Sequence, residues 1–148
     1  MIKKLWRFLM LNRETKGLFI EAFLLLGWAR FLKCMPFSKI APYLGEHMSE
    51  TTFLDIESNM KILRQVNEAI QIMSRYTLWE SKCLVMAIAA MKMLEKRKIG
   101  STLYLGTAKD EAGKLIAHAW LRSGPYYITG AEGMGRFTVV GTFAKNIS

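Results

Sequence analysis

The 148 residues are one domain's worth of chain, long enough to bury a core. Half of them (51%) are hydrophobic, 22% are charged and only three are proline, which excludes a disordered or fibrous chain. The net charge is +9, and residues 1–40 hold eight basic side chains against Glu14 and Glu21, so +6 of it lies there. Such a patch suits nucleic acid, an anionic membrane surface or an acidic peptide, and composition does not choose among them.

Two cysteines, Cys34 and Cys83, make no disulfide framework in a chain of this size. No CxxC occurs, and His47 and His118 stand alone, so no metal site is expected. A reducing cytoplasm fits this usage. The opening MIKKLWRFLM is basic and then apolar, but Asn12, Arg13, Glu14 and Lys16 interrupt it before a signal-peptide core can form. Residues 18–32 contain Glu21 and Arg30 and fall short of the roughly 20 apolar residues of a membrane span. Residues 3–11 and 15–33 are predicted as helices, the second with an apolar face buried in the fold. Membrane-surface association is left open but is not favoured.

Pro36 and Pro42 mark a loop. Ile56, Met60, Leu63, Val66, Ile70 and Met73 then recur every three or four residues, which predicts an amphipathic helix packing one stripe on a core. A further helix starts near Ser81, a plausible N-cap, with Cys83 in its first turn. It closes on Lys96, Arg97 and Lys98 before Gly100. Residues 102–107, 114–122, 126–129 and 136–143 are rich in β-branched and aromatic residues and are separated by turns, so they are predicted as strands. Helices followed by an antiparallel sheet make an α+β layout. The division expected is a basic helical extension over residues 1–50 and a catalytic domain over 51–148.

Cys83 in a first helical turn faces unpaired backbone N–H groups, which favour the thiolate that attacks a carbonyl. A cysteine taken singly is more often a small core residue. His118, on the strand LIAHAWL, is by itself more often a satisfied core histidine. Together the two give the order, helix-start cysteine then strand histidine, in which an imidazole takes a thiol proton and returns it to a leaving amine. If Ser123-Gly124 is a two-residue turn, His118 pairs with Thr129, which makes Thr129 the candidate that orients the ring. Glu132 is the charged alternative. The backbone N–H of Cys83 is one expected oxyanion donor, with Trp79 or Ser81 as candidates for a second. The glycines of TGAEGMGR lack GxxxxGK[ST] and read as a mobile turn.

The stretch WESKCLVMAIAAMKMLEKRKIGSTLYLGTAKDEAGKLIAHAWLRSGPYYITGAEG resembles the leader peptidases of lasso peptide biosynthesis, a transglutaminase-like cysteine protease family. The resemblance covers residues 53–145, through the starts S-K-C-L and R-K-I-G-S-T-L-Y-L-G, through A-H-A-W and through the closing F-T-V-V-G-T-F. It implies a papain/transglutaminase-like fold, with N-terminal helices and a catalytic helix packed on an antiparallel sheet. It also implies removal of the leader from a ribosomally made precursor peptide, whose new amino group a separate cyclase then uses. Cys83 and His118 map onto the family's nucleophile and base, and no cofactor is implied. The usual third member is an Asp on the strand after the histidine, where this chain has Thr129. No winged recognition module precedes the catalytic part, so a separate leader-recognition protein is expected to present the precursor. Residues 1–40 are then candidates for docking that protein, the precursor or the cyclase. The competing expectations are a catalytically idle scaffold of the same fold and a nucleic-acid or membrane binder. No helix-turn-helix, RNP or zinc signature supports nucleic acid.

Overall fold

The computed structural model describes residues 2–78 and 82–146. A short helix α1 (Ile2–Leu9) leads into the long α2 (Arg13–Lys33). The break between them has a local cause: the Asn12 side chain accepts the backbone N–H of Thr15 at 2.7 Å, so Asn12 caps the second helix. The proline loop holds a single helical turn, α3 (Phe37–Ile40), a 3₁₀ turn and a two-residue strand β1 (Glu46–His47).

The amphipathic helix α4 (Met60–Ser74) starts later than its hydrophobic stripe suggests. Leu63, Val66 and Ile70 are buried as the spacing requires, whereas Ile56 lies in extended backbone before a 3₁₀ turn and is exposed. Helix α5 (Cys83–Lys96) is apolar on nearly every side, because α2 and α4 flank it and the sheet lies beneath. Its end is a Schellman motif: the N–H of Ile99 reaches Leu94 O at 2.9 Å and that of Lys98 reaches Glu95 O at 3.0 Å. Lys98, at φ 59°, takes the left-handed position, two residues earlier than the glycine expected to end the helix.

The sheet is antiparallel throughout, in the order β1-β5-β2-β3-β4, with β2 (Ser101–Lys109), β3 (Leu115–Ser123), β4 (Tyr126–Thr129) and β5 (Thr138–Lys145). One core joins the layers, from Ala22, Leu26, Ala29 and Leu32 of α2 through α4 and α5 to Leu103, Ala119, Leu121, Ile128 and Phe143 of the sheet. Thus α2, inside the stretch set apart as an extension, shares its core with the remainder. Glu21 of α2 and Arg97 after α5 close the helical layer with two hydrogen bonds of 2.6 and 2.9 Å.

Pairing of β2 with β3 runs without a shift from Thr102↔Arg122 to Lys109↔Leu115, so side chains alternate strictly along β3. Ala119 and Leu121 enter the helical core. His118, Trp120 and Arg122 take the other face, with Tyr104 stacked on Trp120. A loop over residues 50–54 covers the inner part of that second face.

Candidate active site

Cys83 is the first residue of α5, after Lys82 in extended backbone. The first intrahelical bond runs from Met86 N–H to Lys82 O at 2.9 Å. The N–H groups of Cys83, Leu84 and Val85 therefore have no intrahelical acceptor, and Lys82 carries no side-chain oxygen to cap them. Donors aimed beyond a helix start suit a developing oxyanion. Cys83 packs against the helical core and remains partly exposed. Trp79 and Ser81, the candidates for a second oxyanion donor and for the N-cap, lie outside the described residues.

His118 has a partner that side-chain reasoning could not supply. Its Nε2 lies 2.7 Å from the carbonyl oxygen of Gly130. A carbonyl only accepts, so Nε2 carries the proton and donates, and in the neutral ring Nδ1 is left as the basic nitrogen. Trp120 stacks on one side of the ring at 5.7 Å between centroids, and Phe137 packs against it at 5.1 Å. Both contacts depend on glycines. Gly130 sits at φ 72°, and a Cβ there would meet Ala119 O at 2.4 Å. Gly106, opposite His118, has no room for a Cβ beneath the Trp120 ring.

The register between β3 and β4 differs from the hairpin expected at Ser123-Gly124. Ser123 pairs with Tyr126 and Arg122 with Tyr127, and a bulge then sets Thr129 opposite Leu121. Thr129 is therefore not opposite His118. Its hydroxyl is buried and has no hydrogen-bond partner among the described residues. The bulge lies where Asn67 of α4 donates to the carbonyl of Ile128, which ties β4 to the helices. Glu132 lies exposed in the turn between Gly130 and Gly133, away from any bond to the imidazole. That turn ends in a 3₁₀ turn, Met134–Arg136.

The structure holds the ring of His118 and presents Cys83, but it does not bring them into contact. Cys83 lies on the helical side of the sheet, His118 lies on the other, and no hydrogen bond joins them among the described residues. Strand β4 pairs with β3 only at residues 121–123, so beside His118 that edge of β3 has no paired strand among the described residues. No three His, Cys, Asp or Glu side chains come together as a metal site among the described residues.

Sequence reasoning passed over Arg122, which is fully buried two residues from Trp120. It hydrogen-bonds Tyr104, Thr51, Thr52, Thr102 and Gly124, and its guanidinium lies 3.6 Å from the centre of the Phe53 ring. The signal was present in the alternation, since an arginine in phase with His118 and Trp120 must share their face. Burial raises the pKa of Tyr104 and its hydrogen bond to Glu50 raises it further, while the Arg122 bond opposes both. Tyr104 therefore stays a phenol, donating to Glu50 and accepting from Arg122.

A family model for the Transglutaminase-like superfamily matches residues 22–142. No curated protein and no solved structure matches the chain.

Proposed function

The chain belongs to the transglutaminase-like superfamily, and from that premise we propose that it is a cysteine peptidase removing the leader from a ribosomally made lasso peptide precursor. The observation that carries this reading is Cys83, partly exposed as the first residue of α5, in a chain whose histidine ring keeps Nδ1 as its base. A separate leader-recognition protein presents the precursor, and the product passes to a cyclase.

In the reaction, His118 Nδ1 takes the Cys83 proton and the sulfur attacks the scissile carbonyl, forming a C–S bond. The first-turn N–H groups of α5 hold the oxyanion. Collapse breaks the C–N bond as the imidazolium protonates the departing amine, the new N-terminus of the core peptide. A water, deprotonated by His118, then hydrolyses the thioester and releases the leader as a carboxylate with the thiol restored. The Gly130 carbonyl orients the ring in place of an Asp but adds no negative charge, so the imidazolium is less stabilised than in a charged triad. The thiol and the ring also start on opposite faces of the sheet. The active arrangement therefore requires them to meet at the edge of β3 beside His118 once the precursor is presented.

A second reading, an idle scaffold in the maturation complex, is favoured by one specific observation: that same separation of Cys83 and His118. Mass spectrometry of a cognate precursor incubated with the recognition protein separates the two. Leader release by wild type that disappears in Cys83→Ala is the expected result. Intact precursor with wild type, while recognition binding persists, replaces the peptidase with the scaffold.

A further inference from the structure

A helix that is apolar all round is normally enclosed, yet α2 buries only one side. Ala22, Leu26, Ala29 and Leu32 fill the core. On the opposite side Gly17, Ile20, Leu24 and Phe31 recur at three, four and seven residues. Leu24 is 64% and Phe31 67% exposed, and a Cβ placed on Gly17 would meet nothing. The stripe from Ile20 to Phe31 runs about 16 Å along the helix. Arg13 heads it and Lys16 flanks it.

The preceding helix repeats the pattern on a smaller scale. It is not packed along any other element among the described residues, and Trp6 (63% exposed) and Met10 (69% exposed) stand beside the exposed Lys3 and Arg7. The surrounding charge is predominantly of one sign: residues 1–40 carry eight basic groups and two acidic ones. One of the acidic groups, Glu21, is already engaged by Arg97 and Lys96.

We propose that α1 and the outer stripe of α2 form a docking surface for an anionic phospholipid bilayer, with Trp6, Leu24 and Phe31 entering the acyl boundary and the lysines and arginines held at the headgroups. Exposed apolar anchors with cations of a single sign are what an interfacial helix presents. No described helix is long and apolar enough to cross a membrane, so the attachment is to one surface. A second copy of the chain is the wrong occupant, since two such faces would bring like charges together.

The experiment is co-sedimentation of the full chain with vesicles of phosphatidylcholine alone and of phosphatidylcholine with phosphatidylglycerol. Binding to the anionic vesicles only, weakened by added salt, is expected. Leu24→Asp with Phe31→Asp should lower partitioning by at least about ten-fold. Lys3→Glu with Arg7→Glu should lower it about five-fold or more. These two lie on a helix not packed along any other element among the described residues, so they test the surface without touching the core. Lys109→Glu with Lys114→Glu, an equal charge change at the β2–β3 turn, should stay within about two-fold of wild type. Equal binding to both vesicle types, binding to neither, or equal weakening by the two sets of charge reversals overturns the proposal and leaves the patch to a protein partner.

Discussion

Arg122 shows how much one side chain organises on the face that carries His118. A guanidinium has five N–H donors, and here all five have acceptors, at 2.8–3.3 Å. Three of those acceptors are backbone carbonyls, two of them in the covering loop, so the residue fastens residues 51 and 52 to the sheet. Lysine has three donors at one point and cannot span the same acceptors. Arg122→Lys is expected to cost about 2–4 kcal/mol, since buried carbonyls left unpaired cost about 1–3 kcal/mol each. A fall in the urea midpoint with an unchanged slope checks it. Thr129 is the opposite case. Its hydroxyl is buried without a partner, and valine has nearly the same shape. Thr129→Val should therefore stabilise the fold by about 1 kcal/mol and leave precursor cleavage unchanged. A ten-fold loss of cleavage without loss of stability would instead return Thr129 to the role of orienting the imidazole.

Helix α2 is held to the end of α5 by an ion pair that makes the helical layer sensitive to acid. Hydrogen bonding to Arg97 lowers the pKa of Glu21 most strongly. Burial opposes the shift, and the charges of Arg97 and Lys96 reinforce it. Because the folded value lies below the unfolded one, the contribution is complete above the ordinary glutamate value of about 4.3 and is lost as pH falls through the lowered folded value. Glu21→Gln should cost about 1–3 kcal/mol at neutral pH, and the gap to wild type should close in acid. Thermal unfolding of both proteins across that range checks the sign, and a gap that widens on acidification would refute it. The elements themselves were largely legible in the sequence, because the spacing of Leu63, Val66 and Ile70 and the β-branched runs are local signals. The ends were less so. Ile56 continues the stripe in sequence but precedes the helix. Lys98 occupies a left-handed position that glycine usually marks, because the hydrogen bonds of Ile99 and Lys98 to the last turn secure it.

At the scale of the whole molecule, the layers were easier to read than the site. Helices before strands implied α+β, and the five-stranded antiparallel sheet under α2, α4 and α5 has that form. The partner of His118 was not legible, because it is the carbonyl of Gly130 and no side chain announces it. The register was missed because the two-residue turn is Gly124-Pro125, one residue later than expected, which already shifts the pairing by two, and a bulge opposite Leu121 then adds one more. The consequence for function is that sheet alternation sets His118 apart from Cys83, so under the proposed function their pairing is a property of the complex with the recognition protein and precursor. This is measurable through the thiol. In the isolated chain, alkylation of Cys83 by iodoacetamide should proceed at the same rate in wild type and in His118→Ala, because the ring does not touch the sulfur. With the recognition protein and a non-cleavable precursor added, wild type should react several-fold faster than His118→Ala, since only then does Nδ1 reach the thiol and convert it to the nucleophilic thiolate. Cys34, exposed and hydrogen-bonded to Arg30, alkylates in every sample, so the measurement is made by peptide mapping or in a Cys34→Ser background. A His118 effect already present in the isolated chain would mean the pair forms without partners. No effect under either condition, together with uncut precursor, would leave the transglutaminase-like fold to serve as a scaffold.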